Sequence, residues 1–444
     1  MTFDLNRSSD TNGTRGVLRL KLIYVVIDGM GDLPIEELGN KTPLEAAETP
    51  NMDFLAKSGK TGLMYTVGEG IAPESDVAVV SILGYDPFKY DISRGPIEAL
   101  GSGLTMKDGN LALRCNFATL GRGEKIIDRR VGRDLTTEEG AKLSKAINER
   151  VILKSYPVSF EFKNTMGHRG ALVFRSKIKP LSGNISNTDP AYARIGGIGV
   201  AEPEAEMILR RCKPMDETEE AKISARLVNE FVQKSREVLD KHELNKKRIS
   251  KGELSANCIL TRDAGHRLPN FFNINKRYGL RFVCLADMPI EIGVSKLSGM
   301  DVVELPPPSK SLERDCILRV EKLLEVFHFY DCFYIHIKGP DEPGHDGNFE
   351  LKKQLIDTVD RHFFGIMLQK IRLEDCVVCV TADHSTPCKL KAHSDDPVPL
   401  LIAGNKIQGD DVQKFSEKEC KDGRLGILQQ GTELMQKLII HLEA

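Results

Sequence analysis

The sequence predicts an α/β fold: a doubly wound sheet built from two separated stretches of chain, with a smaller α+β segment inserted between them. Three observations predict it. Short apolar, β-branched runs recur towards both ends of the chain and stop at carboxylates or imidazoles, as buried strands do when they deliver polar groups to one edge of a sheet. Amphipathic helical stretches alternate with those runs, the pattern of a parallel sheet. From about Gly101 the texture changes to hairpins with polar turns, and the doubly wound pattern returns near Leu280. The expected parts are a polar extension (1–17), an outer domain made of two stretches (18–100 and 262–444) and an inserted domain (101–261).

The composition is that of an ordinary globular chain: 444 residues, 41% hydrophobic and 28% charged. Lys+Arg 62 against Asp+Glu 64 leaves a net charge of −2, so no global field argues for nucleic acid or an anionic membrane, and any anion site is local. Met1 to Gly16 is polar without an apolar core, unlike a signal peptide or anchor, and no later run approaches the roughly 18 residues of a spanning helix. A cytoplasmic location is expected. The ten cysteines are scattered apart from Cys376 and Cys379. Residues three apart on a strand point to opposite faces, so that pair reads as free buried thiols rather than a chelate.

Leu18 to Ile27 reads as a strand ending at Asp28-Gly29-Met30-Gly31-Asp32. A helix follows with Thr49 as N-cap, Pro50 at its first position and Gly59 at its end. The glycine-rich loop Gly68 to Ser75 leads into a short helix, Asp76 to Leu83. Ser75 therefore has two readings: a helix N-cap, or a nucleophile facing a phosphate, which free N–H groups and the helix dipole favour there.

In the inserted segment, Leu111 to Leu120 and Glu124 to Val131 flank a Gly121-Arg122-Gly123 turn, and Tyr156 to Phe162 pairs with Gly170 to Arg175. Thr136 and Glu139 have capping-box spacing ahead of a helix to Arg150. Glu217 to Lys241 carries a helical core stripe, Ile223, Leu227, Phe231 and Leu239, and Glu243 to Lys251 reads as solvated.

Leu280 to Ala286 and Asp331 to Ile337 are further strands. The second runs into Lys338-Gly339-Pro340-Asp341-Glu342-Pro343-Gly344-His345, where Pro343 and Gly344 argue for a loop rather than a regular helix. Leu351, Leu355, Val359, Phe363 and Met367 repeat at i+4 in a long amphipathic helix. Val377 to Thr381 is a strand running into Asp383-His384, and Pro397 to Ala403 is the last one expected.

Strand ends thus carry Asp28, then Asp341 with His345, then Asp383 with His384, and His393 follows. With Ser75 these offer three carboxylates, three imidazoles and one hydroxyl oxygen, enough for two cations. Mixed imidazole and carboxylate ligation suits Mn2+ or Zn2+ better than Ca2+. Two such ions activate an oxygen nucleophile and neutralise a phosphoryl group in an in-line displacement.

At these residues the chain resembles the alkaline phosphatase superfamily, and within it the archaeal-type cofactor-independent phosphoglycerate mutases. The resemblance runs from about Leu20 to Ala403 through TPNMDFLA, PESD, NFAT, DRRVGR, GHRG, NTDP, KGPDEPGHDG and TADHSTP, in that order. It implies an alkaline-phosphatase-like sheet with an inserted domain closing over two divalent ions, Mn2+ first, with Zn2+, Mg2+ or Co2+ as alternatives, and no 2,3-bisphosphoglycerate. Carried over by position, Asp28, Ser75, Asp383 and His384 hold one ion, and Asp341, His345 and His393 the other. Ser75 accepts the phosphoryl group, and the freed glycerate turns and takes it back on its other hydroxyl.

The same resemblance assigns Asn116, Asp128, Arg129, Arg133, His168 and Arg169 to the substrate, with Arg262 at the return linker and Lys296 in the outer domain. Asp128 would hold a hydroxyl or relay its proton, with Ser75 and Arg262 as its catalytic companions. Alternation along the expected strand turns only one of Arg129 and Arg130 into the cleft, and Arg129 is the choice. Asp189 and Arg194 are further candidates. The partner implied is a small phosphoglycerate, with no nucleic acid or membrane, and a homo-oligomer is compatible with it.

The rivals are a phosphomonoesterase or a phosphopentomutase on the same metal core, or a non-catalytic metal-stabilised binding protein. A sulfatase is disfavoured because Ser75 is followed by Asp-Val-Ala and no Cys-x-Pro-x-Arg segment occurs.

Overall fold

The computed structural model describes residues 20–195, 198–202 and 205–443; the expected extension 1–17 lies outside them. In chain order, the strands are β1 (Lys21–Ile27), β2 (Lys60–Met64), β3 (Leu111–Leu120), β4 (Ile126–Asp128), β5 (Val158–Asn164), β6 (Arg169–Ser176), β7 (Tyr192–Ile195) and β8 (Ile198–Ala201). β9 (Cys258–Gly265), β10 (Phe282–Leu285), β11 (Asp301–Val302), β12 (Cys332–Ile337), β13 (Cys376–Thr381), β14 (Val398–Gly404) and β15 (Gly426–Leu428) follow.

The outer stretches form one eight-stranded sheet of order β11-β10-β12-β1-β13-β14-β2-β15, so the expected α/β architecture is present. β1 lies parallel between β12 and β13. That central place explains its unbroken Leu22-Ile-Tyr-Val-Val-Ile27 run, because a strand covered on both faces has no polar side to present. β14 runs antiparallel to both of its neighbours, and β15 is an edge strand beyond the expected last one.

Register, more than composition, makes the site. Ile27 pairs with Ile337 and Val26 with Thr381, so the residues after these three strands leave the sheet at one edge. Gly29 has φ +60, and a Cβ there would lie 2.7 Å from the Asp341 Cα. Only a glycine lets the β1 and β12 ends approach so closely.

The inserted residues form a second, antiparallel sheet of order β4-β3-β6-β5, with β9 also on β3. Its core, including Leu113, Phe117, Phe162 and Phe231, is separate from the core of the larger sheet. Helices Thr137–Arg150, opened by the expected Thr136/Glu139 capping box, and Glu219–Asp240 pack into it.

Several local expectations are corrected. Asp341 to His345 lies in a short helix, Asp341–Asp346, not a loop. Pro343 sits in its first turn, where a missing N–H costs no helical hydrogen bond. β4 stops at Asp128, so Arg129 and Arg130 lie beyond the strand and the alternation argument does not apply to them. Arg262 stands within β9, opposite Arg114, rather than in a linker. Glu243–Ser250 is a helix whose Arg248 is buried against Asp134, Glu139 and Glu253. In the long amphipathic stretch Leu351 is exposed, and Lys352 and Ile356 take the buried places before Val359, Phe363 and Met367. A π-helical turn at Asp360–Phe364 rotates the apolar face between the two halves.

Candidate active site

The three strand ends bring together most of the expected ligands. Asp28, Asp383 and His384 are buried. His384 Nε2 lies 3.5 Å from Asp28 Oδ1, 3.4 Å from Asp383 Oδ2 and 3.2 Å from Ser75 Oγ. Asp341 Oδ1 is 3.5 Å from Nε2 of both His345 and His393, and the His384 and His393 rings stack at 3.8 Å. His384 therefore stands between the two expected ligand sets and touches members of both. Ser75 is the first residue of the helix Ser75–Ile82 with Glu74 as its N-cap, so the N-cap reading fails and its hydroxyl faces His384.

The donor set fits divalent cations on evidence internal to the site. His345 Nδ1 is 3.2 Å from the Lys391 carbonyl and His393 Nδ1 is 2.7 Å from the Pro73 carbonyl. A carbonyl only accepts, so each Nδ1 carries its hydrogen and each Nε2 presents a lone pair. Those two nitrogens are 3.1 Å apart, an arrangement that calls for a shared cation or proton. Asp28 Oδ1 and Asp383 Oδ2 are buried without a hydrogen-bond partner among the described residues. Burial, and then the charge of Asp28, push the Asp383 carboxyl well up. Burial also opposes ionisation of Asp28, but the Lys338 ammonium and His384 outweigh it and hold that carboxyl well below the usual range.

A supporting layer escaped the sequence reading. Lys338 Nζ lies 3.2 Å from Asp28 Oδ2 and 2.8 Å from Glu291 Oε1. His336, on β12, is 3.7 Å from both Glu291 and Asp383. His336 was visible as a polar interruption of the apolar run Cys332 to Ile337, and Lys338 as a cation at the same strand end. Glu291 gave no signal, because it reaches the site from the helix Pro289–Leu297. Its neighbour Lys296 faces outward, with its amine 3.5 Å from the Leu100 carbonyl, so the structure does not bring Lys296 into the cluster.

The second cluster is cationic. Asn116 on β3 stands opposite Arg169 on β6 and Leu260 on β9, and its buried Oδ1 has no hydrogen-bond partner among the described residues. Arg129 holds Asp189 through two bonds of 2.8 and 2.6 Å, and Arg262 Nη1 is 3.3 Å from the same carboxylate. Both guanidinium groups lie over the Tyr192 ring. Asp189 thus belongs to this cluster, whereas the Arg194 side chain lies outside the described residues. Asp128 Oδ1 accepts the Arg130 N–H at 2.7 Å, which leaves its other oxygen free of that bond. Arg133 reaches Glu342 and Asp346, at 3.5 and 3.6 Å, and so spans the two sheets beside the expected ligands Asp341 and His345.

Arg94 and Arg114, neither expected, complete this cluster around Glu98, at 2.7 and 3.4 Å. Burial and the neighbouring Arg262 and Arg94 lower the Arg114 guanidinium to about 9. Burial, and then Arg169 and Arg130, lower His168 to about 3, so it is neutral at physiological pH. The two arginines were missed because one sits in a helix and one in a strand, 20 residues apart, and only packing joins them. The arrangement pairs a serine hydroxyl and a cation-seeking ligand set with an anion-seeking wall.

Comparison with known proteins matches that chemistry. The family described as 2,3-bisphosphoglycerate-independent phosphoglycerate mutase matches residues 56–245. An Aeropyrum pernix enzyme of that name is 42% identical over 95% of this chain and 99% of its own length. A Thermococcus kodakarensis enzyme of the same name is 40% identical over 91% of this chain and 93% of its own length. A cofactor-independent phosphoglycerate mutase structure from Thermoplasma acidophilum superposes at TM-score 0.60 and 30% identity, covering 96% of this chain and all of that one. A Pyrococcus horikoshii protein does so at TM-score 0.76 and 31% identity, covering 96% and 98%. The near end-to-end likeness, on a chain whose strand ends gather the ligands expected of a phosphoryl-transfer centre, places this protein in the 2,3-bisphosphoglycerate-independent phosphoglycerate mutase family.

Proposed function

We propose that the chain interconverts 2-phosphoglycerate and 3-phosphoglycerate through a phosphoserine at Ser75. The observation that carries this reading is the Ser75 hydroxyl, 3.2 Å from His384 Nε2 among buried carboxylates whose outer oxygens lack partners. Asp28, Ser75, Asp341, His345, Asp383, His384 and His393 would hold two divalent ions, Mn2+ in preference because their ligand set mixes imidazole with carboxylate. When bound, such ions lower the pKa of a coordinated hydroxyl and neutralise charge on a transferring phosphoryl group.

The remaining work falls to the side chains. As the Ser75 Oγ–P bond forms, the bond from phosphorus to the glycerate oxygen breaks, and the proton that leaves Ser75 Oγ passes to that oxygen. Asp128 holds this hydroxyl and relays its proton. Arg129, Arg169 and Arg262, with Asn116 and the neutral His168, bind the carboxylate and phosphate oxygens, a task suited to planar guanidinium groups. The glycerate then turns within this wall, its other hydroxyl attacks phosphoserine as the Oγ–P bond breaks, and that hydroxyl's proton returns to Ser75 Oγ. In this division the outer segments (18–100 and 262–444) supply the metal centre and residues 101–261 the anion wall, although β9 carries Arg262 across the boundary into the smaller sheet. Arg133 then acts as a latch between the two parts.

The test is 3-phosphoglycerate turnover coupled to enolase, with Mn2+ supplied and inorganic phosphate followed in parallel. The proposal predicts 2-phosphoglycerate as the dominant product. Dominant release of phosphate would assign the centre to a hydrolase instead.

A further inference from the structure

We infer that Thr386 is a positioning residue that fixes the tautomer of His384 and ties the two ligand sets together. The inference rests on the reading of His384 as a metal ligand. Thr386 Oγ1 donates to Asp341 Oδ1 at 2.7 Å and lies 3.0 Å from His384 Nδ1. A hydroxyl has one hydrogen, and an ionised carboxylate only accepts. With that hydrogen committed to Asp341, the contact to His384 is satisfied only if Nδ1 carries the imidazole hydrogen and donates it to Oγ1. Nε2, which faces Ser75 and Asp28, then presents its lone pair. His345 and His393 obtain the same tautomer from backbone carbonyls. His384 alone of the three obtains it from a side chain, and that side chain also grips a carboxylate of the other set.

Thr386 is well held for this role. It is fully buried. Its N–H donates to the Gly31 carbonyl at 3.0 Å, on the loop that follows Asp28. Its own carbonyl accepts from Lys352 Nζ at 2.9 Å, and the same ammonium binds the Gly31 carbonyl at 2.9 Å and Asp32 at 2.8 Å. On the other side, a Cβ at Gly344 would come within 2.5 Å of the Thr386 carbonyl oxygen, so the Asp341–Asp346 helix rests directly on this residue. All three ligand-bearing strand ends thus meet at Thr386. Outer groups of this kind orient ligands, and their loss costs about 10- to 100-fold in metal affinity or activity.

The experiment compares full-length wild type, Thr386→Val, Thr386→Ser and His384→Ala in Mn2+ titrations and in steady-state assays. Thr386→Val is expected to weaken ion binding by about 10- to 100-fold and to lower kcat at unchanged KM for phosphoglycerate, while Thr386→Ser keeps values near wild type. In the metal-free wild type, where no ion fixes the tautomer, 15N-resolved imidazole spectra should show the His384 imidazole hydrogen on Nδ1. That reading needs no variant, so it decides the matter even if Thr386→Val does not fold. Protonation of His384 at Nε2, or wild-type ion affinity in Thr386→Val, would overturn the inference. If His384→Ala also bound ions like wild type, the ligand assignment beneath it would fail. If only Thr386→Val did, the assignment would stand and the positioning role would not.

Discussion

The metal end and the arginine end of this molecule lack opposite things. At the ends of β1, β12 and β13, Asp28 Oδ1 and Asp383 Oδ2 are buried without a donor among the described residues, and two imidazole nitrogens face each other at 3.1 Å. Around β3, β6 and β9, arginines share Glu98 and Asp189, and His168 is pressed neutral. One end calls for cations and the other for an anion. A phosphorylated carboxylate between two metal ions and that wall would satisfy both. The ends also differ in construction, since Asp28, Asp341, Asp383 and His384 lie just beyond the ends of neighbouring strands of one sheet, whereas the arginines come from a helix, two turns and three strands.

Removing the cations breaks the comparison most severely. Chelation is expected to abolish turnover and Mn2+ to restore it. Added ion should also stabilise the fold, by about 2.7 kcal/mol at a free concentration about 100 times Kd, read from thermal unfolding with and without chelator. Full activity in a chelated enzyme would remove the metal end from the account.

Weakening the anion wall should cost less. Arg262→Ala removes one charged hydrogen-bonding partner, worth about 1.5–3 kcal/mol, or roughly 10- to 150-fold in kcat/KM. Mn2+ affinity should be unchanged, because Arg262 binds Asp189 and Asp263 rather than the ligand set. Equal losses in ion binding and turnover would show that the two ends are not separable.

The smallest effect sharpens the comparison through pH. Burial and the arginines lower His168 from its ordinary value to about 3 in the fold. The unfolded chain therefore binds more protons between about pH 6.5 and 3, so stability is complete above that window and is lost as pH falls through it. Between pH 7 and 6 the loss is roughly 0.5–1 kcal/mol. Thermal unfolding of His168→Asn should be flatter over that step, and an anion in the wall should raise the histidine's pKa. Identical slopes for the two proteins would deny the crowding of positive charge.

The same contrast explains what could be read from the chain. Asp28, Asp341, Asp383 and His384 were legible because a buried strand announces itself as an apolar run, and its polar successors fall at a sheet edge. The i+4 spacing of Asp341 and His345 is legible in the sequence, but not their helix, because Pro343 reads as a breaker and only its first-turn placement makes it harmless. Arg94, Arg114 and Glu291 were hidden, since each reaches its cluster only through helix-to-sheet packing between distant segments. Lys296 was misplaced for the converse reason: a basic residue on the right helix still points outward when the turn carrying Glu291 takes the inner face. Thr386 stands in the TADHSTP stretch with no chemical signal of its own, and only its two hydrogen bonds give it meaning.

The central claim is that the phosphoryl group passes through Ser75. Rapid acid quench of the Mn2+-loaded enzyme during turnover of 32P-labelled 3-phosphoglycerate, followed by peptide mapping, tests it directly. The account predicts label on the peptide carrying Ser75 and none in Ser75→Ala, which should be folded and inactive. A turning-over wild type without covalent label, or with label on another residue, would contradict it.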